Sequence, residues 1–222
     1  MRLGAWAKAS ANVVLASLFE PPCAACGMKL PSPLDGSVCA SCWSSIGTRN
    51  GLDEHFDPPY AISWLTAVDT YDGRMKDIIH ALKYDRRRSI SPRLGALMRE
   101  RGAELLRDAG AVVPVPLHPL REYKRGFNQA RDLAMHLGLP VMPLLKRIVH
   151  TQSQIELPRS ERQKNVKEAF ALAAPAGVAI VVLVDDVSTT GATLESCAGV
   201  LKAAGVQEVR AVTAARVVNA PR

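Results

Sequence analysis

The chain has 222 residues, of which 48% are hydrophobic, and its 28 Lys and Arg against 21 Asp and Glu give a formal net charge of +7. This length and composition exclude wholesale disorder and allow one substantial core with a small appended unit. The positive charge suits polyanionic partners such as nucleotides, diphosphates or nucleic acid. It is spread along the chain, however, and does not select among them.

The first element in chain order is a mildly apolar run over residues 1–19. Polar residues interrupt it well short of a bilayer-spanning length, so we expect an amphipathic helix and no membrane span. The cysteines that follow are spaced like metal ligands rather than like a disulfide framework. This spacing predicts a cytoplasmic protein, because an oxidising compartment would suit those thiols poorly.

Two Cys-x-x-Cys pairs predict a metal site: Cys23, Cys26, Cys39 and Cys42. Four thiolates in two close pairs suit a tetrahedral Zn²⁺, and four cysteine ligands leave no open position, so the metal would be structural. The alternative is a redox role in which each pair cycles as a disulfide, although no βαβ pattern surrounds either pair. We expect a helix and zinc ribbon over residues 1–50 and a second domain over residues 51–222.

A strand is predicted over residues 64–71, and a helix after Gly73 is indicated by apolar residues at helical spacing: Met75, Ile78, Ile79 and Leu82. This helix ends in a basic run over residues 83–88. The run either follows a phosphate backbone, with Tyr84 stacked on a base, or is a solvated helix end. Another helix is expected over residues 92–108.

A short strand over residues 111–116 leads into a predicted anion-binding loop formed by Pro116, Leu117, His118 and Pro119. Loops at the carboxyl ends of neighbouring parallel strands share one crevice, so pyrophosphate would fit between this loop and the one after residue 184. His118 either contacts the anion or is only a turn residue. A cation and two amides beside the loop are further anion-binding candidates: Arg125, Asn128 and Gln129.

The stretch over residues 146–170 is polar and lacks hydrophobic periodicity, which is typical of a mobile flap that covers a site. After it, alternating apolar residues predict an edge-type strand over residues 207–218.

The most informative segment lies between these two, over residues 181–193. Residues 181–184 predict a buried parallel strand that ends in Asp185 and Asp186, and a helix is expected from residue 190 to residue 204. The turn between them carries four hydroxyl side chains: Ser188, Thr189, Thr190 and Thr193. Gly191 permits close backbone approach, and N–H groups at a helix start favour an anion, so a phosphate would bind here. The carboxylates would accept hydrogen bonds from vicinal hydroxyls or hold a divalent cation. The alternative is an ordinary strand-to-helix turn capped by Asp and Thr.

This strand, acidic pair and turn resemble the phosphoribosyl pyrophosphate (PRPP) signature of type I phosphoribosyltransferases. The resemblance implies that Asp185 and Asp186 are the catalytic residues and meet the ribose hydroxyls, directly or beside a Mg²⁺-bound diphosphate. It assigns PRPP binding to the acidic pair and to the residues after it: Val187, Ser188, Thr189, Thr190, Gly191, Ala192 and Thr193.

With the cysteine pairs, the segments VVPVPLHP, KRGFNQA, TQSQ, RQKNVKEAF and VDDVSTTGAT resemble the ComF family over nearly the full chain. The implied fold is α/β, a type I phosphoribosyltransferase fold with an open, mainly parallel sheet flanked by helices and a small N-terminal zinc ribbon. A weaker similarity to glutamine-dependent amidophosphoribosyltransferases covers four polar flap positions: Arg147, Gln154, Arg162 and Lys167.

The ComF resemblance implies a role in natural transformation, in which the protein handles single-stranded DNA during uptake. The implied partners are PRPP or a related sugar phosphate with Mg²⁺, single-stranded DNA and a competence-system helicase. Two other functions fit the same pocket. One is an active transferase acting on an unidentified base or amine, and the other is a PRPP-sensing regulator without turnover.

Overall fold

The computed structural model describes residues 5–19, 21–50, 52–148 and 169–218. The helices are α1 (Ala5–Phe19), α2 (Ala40–Ser44), α3 (Gly73–Lys83), α4 (Ser91–Arg101), α5 (Ala103–Leu106), α6 (Pro119–Arg125), α7 (Gln129–Ala134) and α8 (Ala192–Ala203). The strands are β1 (Glu54–His55), β2 (Trp64–Thr70), β3 (Ala111–Pro114), β4 (Leu145–Arg147), β5 (Phe170–Leu172), β6 (Ile180–Ser188) and β7 (Glu208–Arg216).

Five strands form one sheet in the order β1-β2-β7-β6-β3, in which only β1 is antiparallel to its neighbour. Helices cover both faces of this open, mainly parallel sheet, so the predicted fold class is confirmed. The carboxyl end of β3 lies beside the part of β6 that precedes Asp185, because Pro114 pairs with Val184 and Val115 N–H donates to Val184 O at 2.9 Å.

Strand β7 is not the edge strand that its alternation predicts. It lies between β2 and β6, and its residues 209–215 are all buried. The alternating pattern was misleading because small residues fill one face and Arg210 is buried through ion pairing. Arg210 is 8% exposed, and its guanidinium bonds to both Asp108 and Glu208.

Two hydrophobic cores lie on opposite faces of the sheet. One packs α3, α4 and α7 against Val182, Val184 and Val212. The other packs α8 and the antiparallel pair β4–β5 against Val181 and Leu183. Neighbouring residues of β6 therefore belong to different cores, as the period of a strand requires.

The cysteine-containing segment shares the first of these cores. Leu30, Trp43 and Ile46 are buried in the same cluster as the α3 and α4 side chains. Two hydrogen bonds add to this packing: Arg74 donates to Ala25 O at 2.7 Å, and Gly47 N–H donates to the Asp69 carboxylate at 2.8 Å. The division at residue 50 stays a prediction.

Helix α1 forms where predicted, but it is not amphipathic in the expected sense. Trp6 is 89% exposed and Val13 is 65% exposed, whereas Asn12 is buried and accepts a hydrogen bond from Leu34 N–H at 2.8 Å. A polar side chain, Asn12, therefore faces the protein, while Trp6 and Val13 face solvent. In the part of the chain that the structure describes, no helix is long and apolar enough to cross a membrane.

The helix expected over residues 92–108 is two helices. Gly102 separates α4 from α5, and its N–H donates to Met98 O at 2.9 Å. Glycine is a weak helix former because it loses the most backbone entropy, which explains the interruption.

Candidate functional site

Strand β6 extends further than its apolar residues indicate. Asp185 pairs with Thr213 and Ser188 with Arg216, so the ladder with β7 continues through the acidic pair. The two carboxylates are therefore strand residues rather than loop residues. Because successive side chains of a strand point to opposite faces, Asp186 lies on the α3 side of the sheet and Asp185 on the α8 side.

Asp186 forms an ion pair that the sequence did not indicate. Lys83 Nζ lies 2.8 Å from Asp186 Oδ2, and the two side chains are 17% and 4% exposed. Burial alone would lower the pKa of Lys83, but the Asp186 carboxylate outweighs it and raises this pKa. The basic run over residues 83–88 thus does not behave as one surface, since its first member reaches into the site.

Asp185 has a different environment. Its Oδ1 accepts a hydrogen bond from Asp186 N–H at 2.8 Å. The residue keeps some exposure, but withdrawal of its carboxyl group from water, followed by repulsion from Asp186, raises the pKa of Asp185 to about 8. A raised pKa is expected where two carboxyl groups lie close together, because each negative charge disfavours the other. A bound cation would favour ionisation of both.

The turn after β6 has the features of a phosphate site. Ser188 is buried, whereas Thr189 and Thr190 are exposed. Gly191 has a φ of 75°, and an added Cβ would meet nothing within 4 Å, so glycine is required here by backbone conformation and not by crowding. Helix α8 begins at Ala192, two residues later than predicted, and Ala192 N–H donates to Thr190 Oγ1 at 3.4 Å.

The predicted anion loop follows β3, the strand that pairs with β6. His118 is the N-cap of α6, and its Nδ1 accepts a hydrogen bond from Leu120 N–H at 3.2 Å. Pro119 occupies the first turn of that helix. Strand β3 ends at Pro114, before the predicted residue 116, which leaves Pro116 and Leu117 in the loop.

The three polar side chains after this loop contact the protein itself. Asn128 caps α7, donates to Val115 O at 3.1 Å and accepts from Ala130 N–H at 2.9 Å. Arg125 donates to Gln129 Oε1. Asn128 and Gln129 are buried, so in this structure they brace the loop.

Of the four flap positions, the structure describes only Arg147, which lies in β4 and pairs in register with Phe170. Its guanidinium lies 5.3 Å from the Phe170 ring centroid. Burial, with a smaller contribution from Arg121, lowers the pKa of Arg147, and Asp185 opposes this shift electrostatically. Gln154, Arg162 and Lys167 lie outside the described residues.

The four cysteines come together as predicted. Their sulfur atoms lie within 4.8 Å of one another, with 3.9 Å between Cys23 and Cys42 and 3.8 Å between Cys26 and Cys39. Sulfur ligands of a tetrahedral Zn²⁺ at about 2.3 Å are about 3.8 Å apart, so the set fits a metal ion.

Backbone N–H groups donate hydrogen bonds to sulfur in the cysteine cluster, which favours the thiolate form. Cys39 N–H donates to Cys23 Sγ at 3.3 Å, and Ala25 N–H does so at 3.5 Å. Although burial opposes them, these bonds lower the pKa of Cys23 to about 6. Burial raises the pKa of Cys42 above its ordinary value. None of the five cysteines forms a disulfide, and Cys197 is fully buried in the second core.

Sequence reasoning missed Lys83 because it was counted with the arginines that follow it. The signal was available in helical spacing. Lys83 comes four residues after Ile79, which is fully buried, so both lie on the same side of α3.

Comparison with known proteins agrees with this geometry. Residues 123–220 match the family model of the phosphoribosyl transferase domain. DNA utilization protein YhgH of Salmonella typhi is 31% identical over 187 residues, covering 78% of this chain and 82% of that protein. Competence protein F of Haemophilus influenzae is 39% identical over 108 residues, or 45% of this chain and about half (47%) of that protein.

Among solved structures, a glutamine PRPP amidotransferase from B. subtilis, complexed with ADP and GMP, is 22% identical with a TM-score of 0.36. The match covers 54% of this chain and 25% of that one. The domain match, the strand order and the extended similarity to the competence and DNA utilization proteins together show that the chain belongs to the ComF family.

Proposed function

We propose that this protein binds PRPP, or a related sugar phosphate, with Mg²⁺ at the end of β6 and handles single-stranded DNA during natural transformation. The observation that carries the ligand assignment is the acidic pair in the last part of β6, followed by the Gly191 turn and the start of α8. Anionic and hydroxyl groups of one ligand find complementary partners there within a few residues.

In this proposal each part of the site has one role. The 5-phosphate lies in the turn, where backbone N–H groups at the start of α8 and the hydroxyls of Thr189 and Thr190 donate to it. Asp185 and Asp186 accept hydrogen bonds from the ribose hydroxyls. The diphosphate lies toward the loop at His118, and Mg²⁺ would supply charge neutralisation of the diphosphate through oxygen ligands.

The DNA role rests on the relatives. Proteins named for competence and for DNA utilization are similar to this chain over most of their length in one case and about half in the other. The net charge of +7 suits a polyanion. We propose a cytoplasmic location, with a competence-system helicase as the partner that delivers the strand.

The same proposal assigns Zn²⁺ to the cysteine cluster. Four sulfur ligands with N–H···S bonds leave no position for a substrate, so the metal would stabilise the fold and take no part in chemistry.

Turnover is a second candidate function, favoured by the burial of Asp186. Asp186 is 3% exposed, and electrostatic stabilisation of charge is strongest where water is excluded. In such a reaction the bond from the ribose C1 to pyrophosphate breaks, a bond from C1 to the nitrogen of a base or amine forms, and that nitrogen loses a proton. The acidic pair would stabilise positive charge at C1.

Calorimetric titration of Mg²⁺–PRPP into the purified full chain tests the ligand assignment. We expect saturable binding that is lost when Asp185→Asn and Asp186→Asn are combined. The matched control is Asp57→Asn, an exposed carboxylate between β1 and β2, which keeps wild-type affinity. Absence of binding to the wild-type chain, or equal binding to the double variant, would overturn the assignment.

Pyrophosphate release separates turnover from binding alone. A panel of nucleobases and amines supplied with Mg²⁺–PRPP should yield pyrophosphate with at least one acceptor if the site is a transferase. Binding without release across the panel would instead favour a PRPP-sensing regulator or a DNA-handling protein.

A further inference from the structure

An exposed ledge of aromatic and basic side chains borders the mouth of the site. It is formed by Tyr84 and Arg86, which follow α3, and by Lys124 and Arg125 at the end of α6; we call these four residues the ledge. Tyr84 is 65% exposed. Its ring is supported by His80, with centroids 4.7 Å apart and a tilt of 42°, while the Arg125 guanidinium lies 5.7 Å from the ring centroid.

The two segments of the ledge are held together. Arg86 donates to Lys124 O at 2.7 Å. Arg86 also has a φ of 54°, and among the described residues it is the only non-glycine with a positive φ. This conformation is disfavoured for residues with a Cβ, so the turn after α3 is kept despite its strain. Backbone strain of this kind is most often found at binding and active sites, so it favours a functional role for this turn.

The charge of the ledge is mostly uncompensated. Arg86, Lys124 and Arg125 have no carboxylate partner among the described ion pairs, whereas Arg88 pairs with Asp132 at 2.6 Å and is used for structure. Two acids lie nearby in sequence, Asp85 and Glu122, and neither forms an ion pair within the described part of the chain. The surface therefore offers cations to a polyanion that comes from outside.

The ledge is continuous with the site through consecutive residues. Lys83 contacts Asp186, and the next residue, Tyr84, is on the ledge. On the other side, Arg125 bonds to Gln129 beside Asn128, whose amide holds Val115 at the end of β3. These contacts connect the ledge to the acidic pair on one side and to the end of β3 on the other.

An exposed tyrosine among unpaired cations fits a single strand better than a duplex. Unpaired bases can stack on an aromatic face, whereas the bases of a duplex are already stacked, and the cations suit a phosphate backbone in either case. Free nucleotides would gain from the pocket but would use few of the ledge cations.

We infer that the ledge is the surface on which single-stranded nucleic acid binds, with a base stacked on Tyr84 and the backbone passing Arg86, Lys124 and Arg125. The inference deepens the proposed function, on which it rests, by locating the DNA-binding surface beside the sugar-phosphate pocket.

Fluorescence anisotropy with a labelled oligothymidylate, measured over a series of salt concentrations, tests the inference on the full chain. Stacking on an aromatic side chain contributes about 1–3 kcal/mol per base, so we expect Tyr84→Ala to weaken binding by about 5- to 150-fold. Tyr84→Phe should retain wild-type affinity. The matched control is Tyr60→Ala, because Tyr60 is exposed to a similar extent (59%) and its ring contacts Phe56 rather than a ledge residue.

Removing the ledge cations should change a different quantity, the salt dependence of binding. Combining Arg86→Ala with Lys124→Ala should reduce the slope of log affinity against log salt by about 0.7 for each phosphate contact removed. Arg99→Ala, an exposed arginine on α4, should leave the slope unchanged. Tyr84→Ala should change affinity without changing the slope.

The outcomes separate the inference from the proposed function. If the wild-type chain binds the oligonucleotide and the ledge variants bind equally well, the ledge is not the binding surface, but the proposed DNA-handling function is still supported. If the wild-type chain shows no binding even at low salt, the ledge and the DNA part of the proposed function both fall. Thermal melting of Tyr84→Ala should match that of the wild-type chain, which shows that the variant is folded.

Discussion

Asp185 should lower the stability of the folded chain as pH rises. Its pKa is raised from 3.8 to about 8, so between these values the folded state keeps a proton that the unfolded state has lost. The free energy of unfolding therefore falls across this window, by at most about 1.4 kcal/mol per pH unit from this group. Asp185→Asn removes the titration, and we expect it to melt at a higher temperature than the wild type.

Thermal melting near pH 5 and near pH 8, without ligand, measures this effect. The advantage of Asp185→Asn over the wild type should be larger at the higher pH, and Asp57→Asn should show no such trend. An advantage that is equal at both pH values would mean that Asp185 is ionised in the folded chain.

Lys83 should be essential for the stability of the site. Lys83→Met leaves the Asp186 carboxylate buried without its counter-charge, and losses of about 3–5 kcal/mol are typical when one partner of a buried pair is removed. Adding Asp186→Asn should recover most of this loss. Denaturant unfolding of the two variants measures both quantities.

Lys76→Met is the matched control, because Lys76 is an exposed lysine on the same helix. Its substitution should change the free energy of unfolding by no more than about 0.5 kcal/mol. If Lys83→Met were no worse than this control, the ion pair with Asp186 would not contribute to stability.

At the scale of single elements, the turn before α8 depends on one glycine. Gly191 has a φ of 75°, which costs residues with a Cβ about 1–2 kcal/mol. We expect Gly191→Ala to destabilise the chain by about that amount and Gly191→Val by more, with weaker Mg²⁺–PRPP binding in both. Denaturant unfolding and calorimetry provide the two readouts.

We expect the opposite effect of alanine at Gly199, which lies in the helix that follows Gly191. Gly199 is exposed, has no atom within 4 Å of an added Cβ and lies in the interior of α8. Gly199→Ala should therefore stabilise the chain by up to about 1 kcal/mol. If both glycines responded alike to alanine, the backbone conformation of residue 191 would not be the cause.

The elements also show which features were predictable from the sequence. The apolar run of β6 and the glycine turn carry strong local signals, so the strand, the turn and the following helix were found within a few residues. The continuation of β6 beyond the acidic pair to Ser188 was missed because it depends on hydrogen bonding to β7, a partner distant in sequence. For the same reason the face of each carboxylate was not foreseen.

The prediction of β7 as an edge strand was wrong for another reason. Arg210 interrupts its apolar pattern, and only the ion pairs with Asp108 and Glu208 allow that charge to be buried. Glu208 is only two residues away, but the pair with Asp108 joins residues distant in sequence and leaves no local pattern. Lys83 belongs to the same category, although its helical spacing from Ile79 offered a hint.

At the scale of the whole molecule, the metal should stabilise more than the cysteine segment. Trp43 and Ile46 are buried in one core with α3 and α4, so losing the metal exposes a shared interior. We expect Cys23→Ser, or treatment with a zinc chelator, to lower the melting temperature in a single transition. Elemental analysis should find one zinc per wild-type chain and none in the variant.

Cys197→Ala should keep the zinc, since that residue lies in the other core. Two separate melting transitions in the zinc-free chain would contradict the shared core. Full zinc content in Cys23→Ser would contradict the assignment of the metal ligands.

The placement of Asp185 and Asp186 on opposite faces of the sheet has a mechanical consequence. Asp185 adjoins the layer of α8 and β4–β5, and Asp186 adjoins the layer of α3, α4 and the cysteine segment. A ligand held by both carboxylates would join two layers that otherwise pack independently. Its binding should therefore slow amide exchange in both layers at once, even in helices that it never touches.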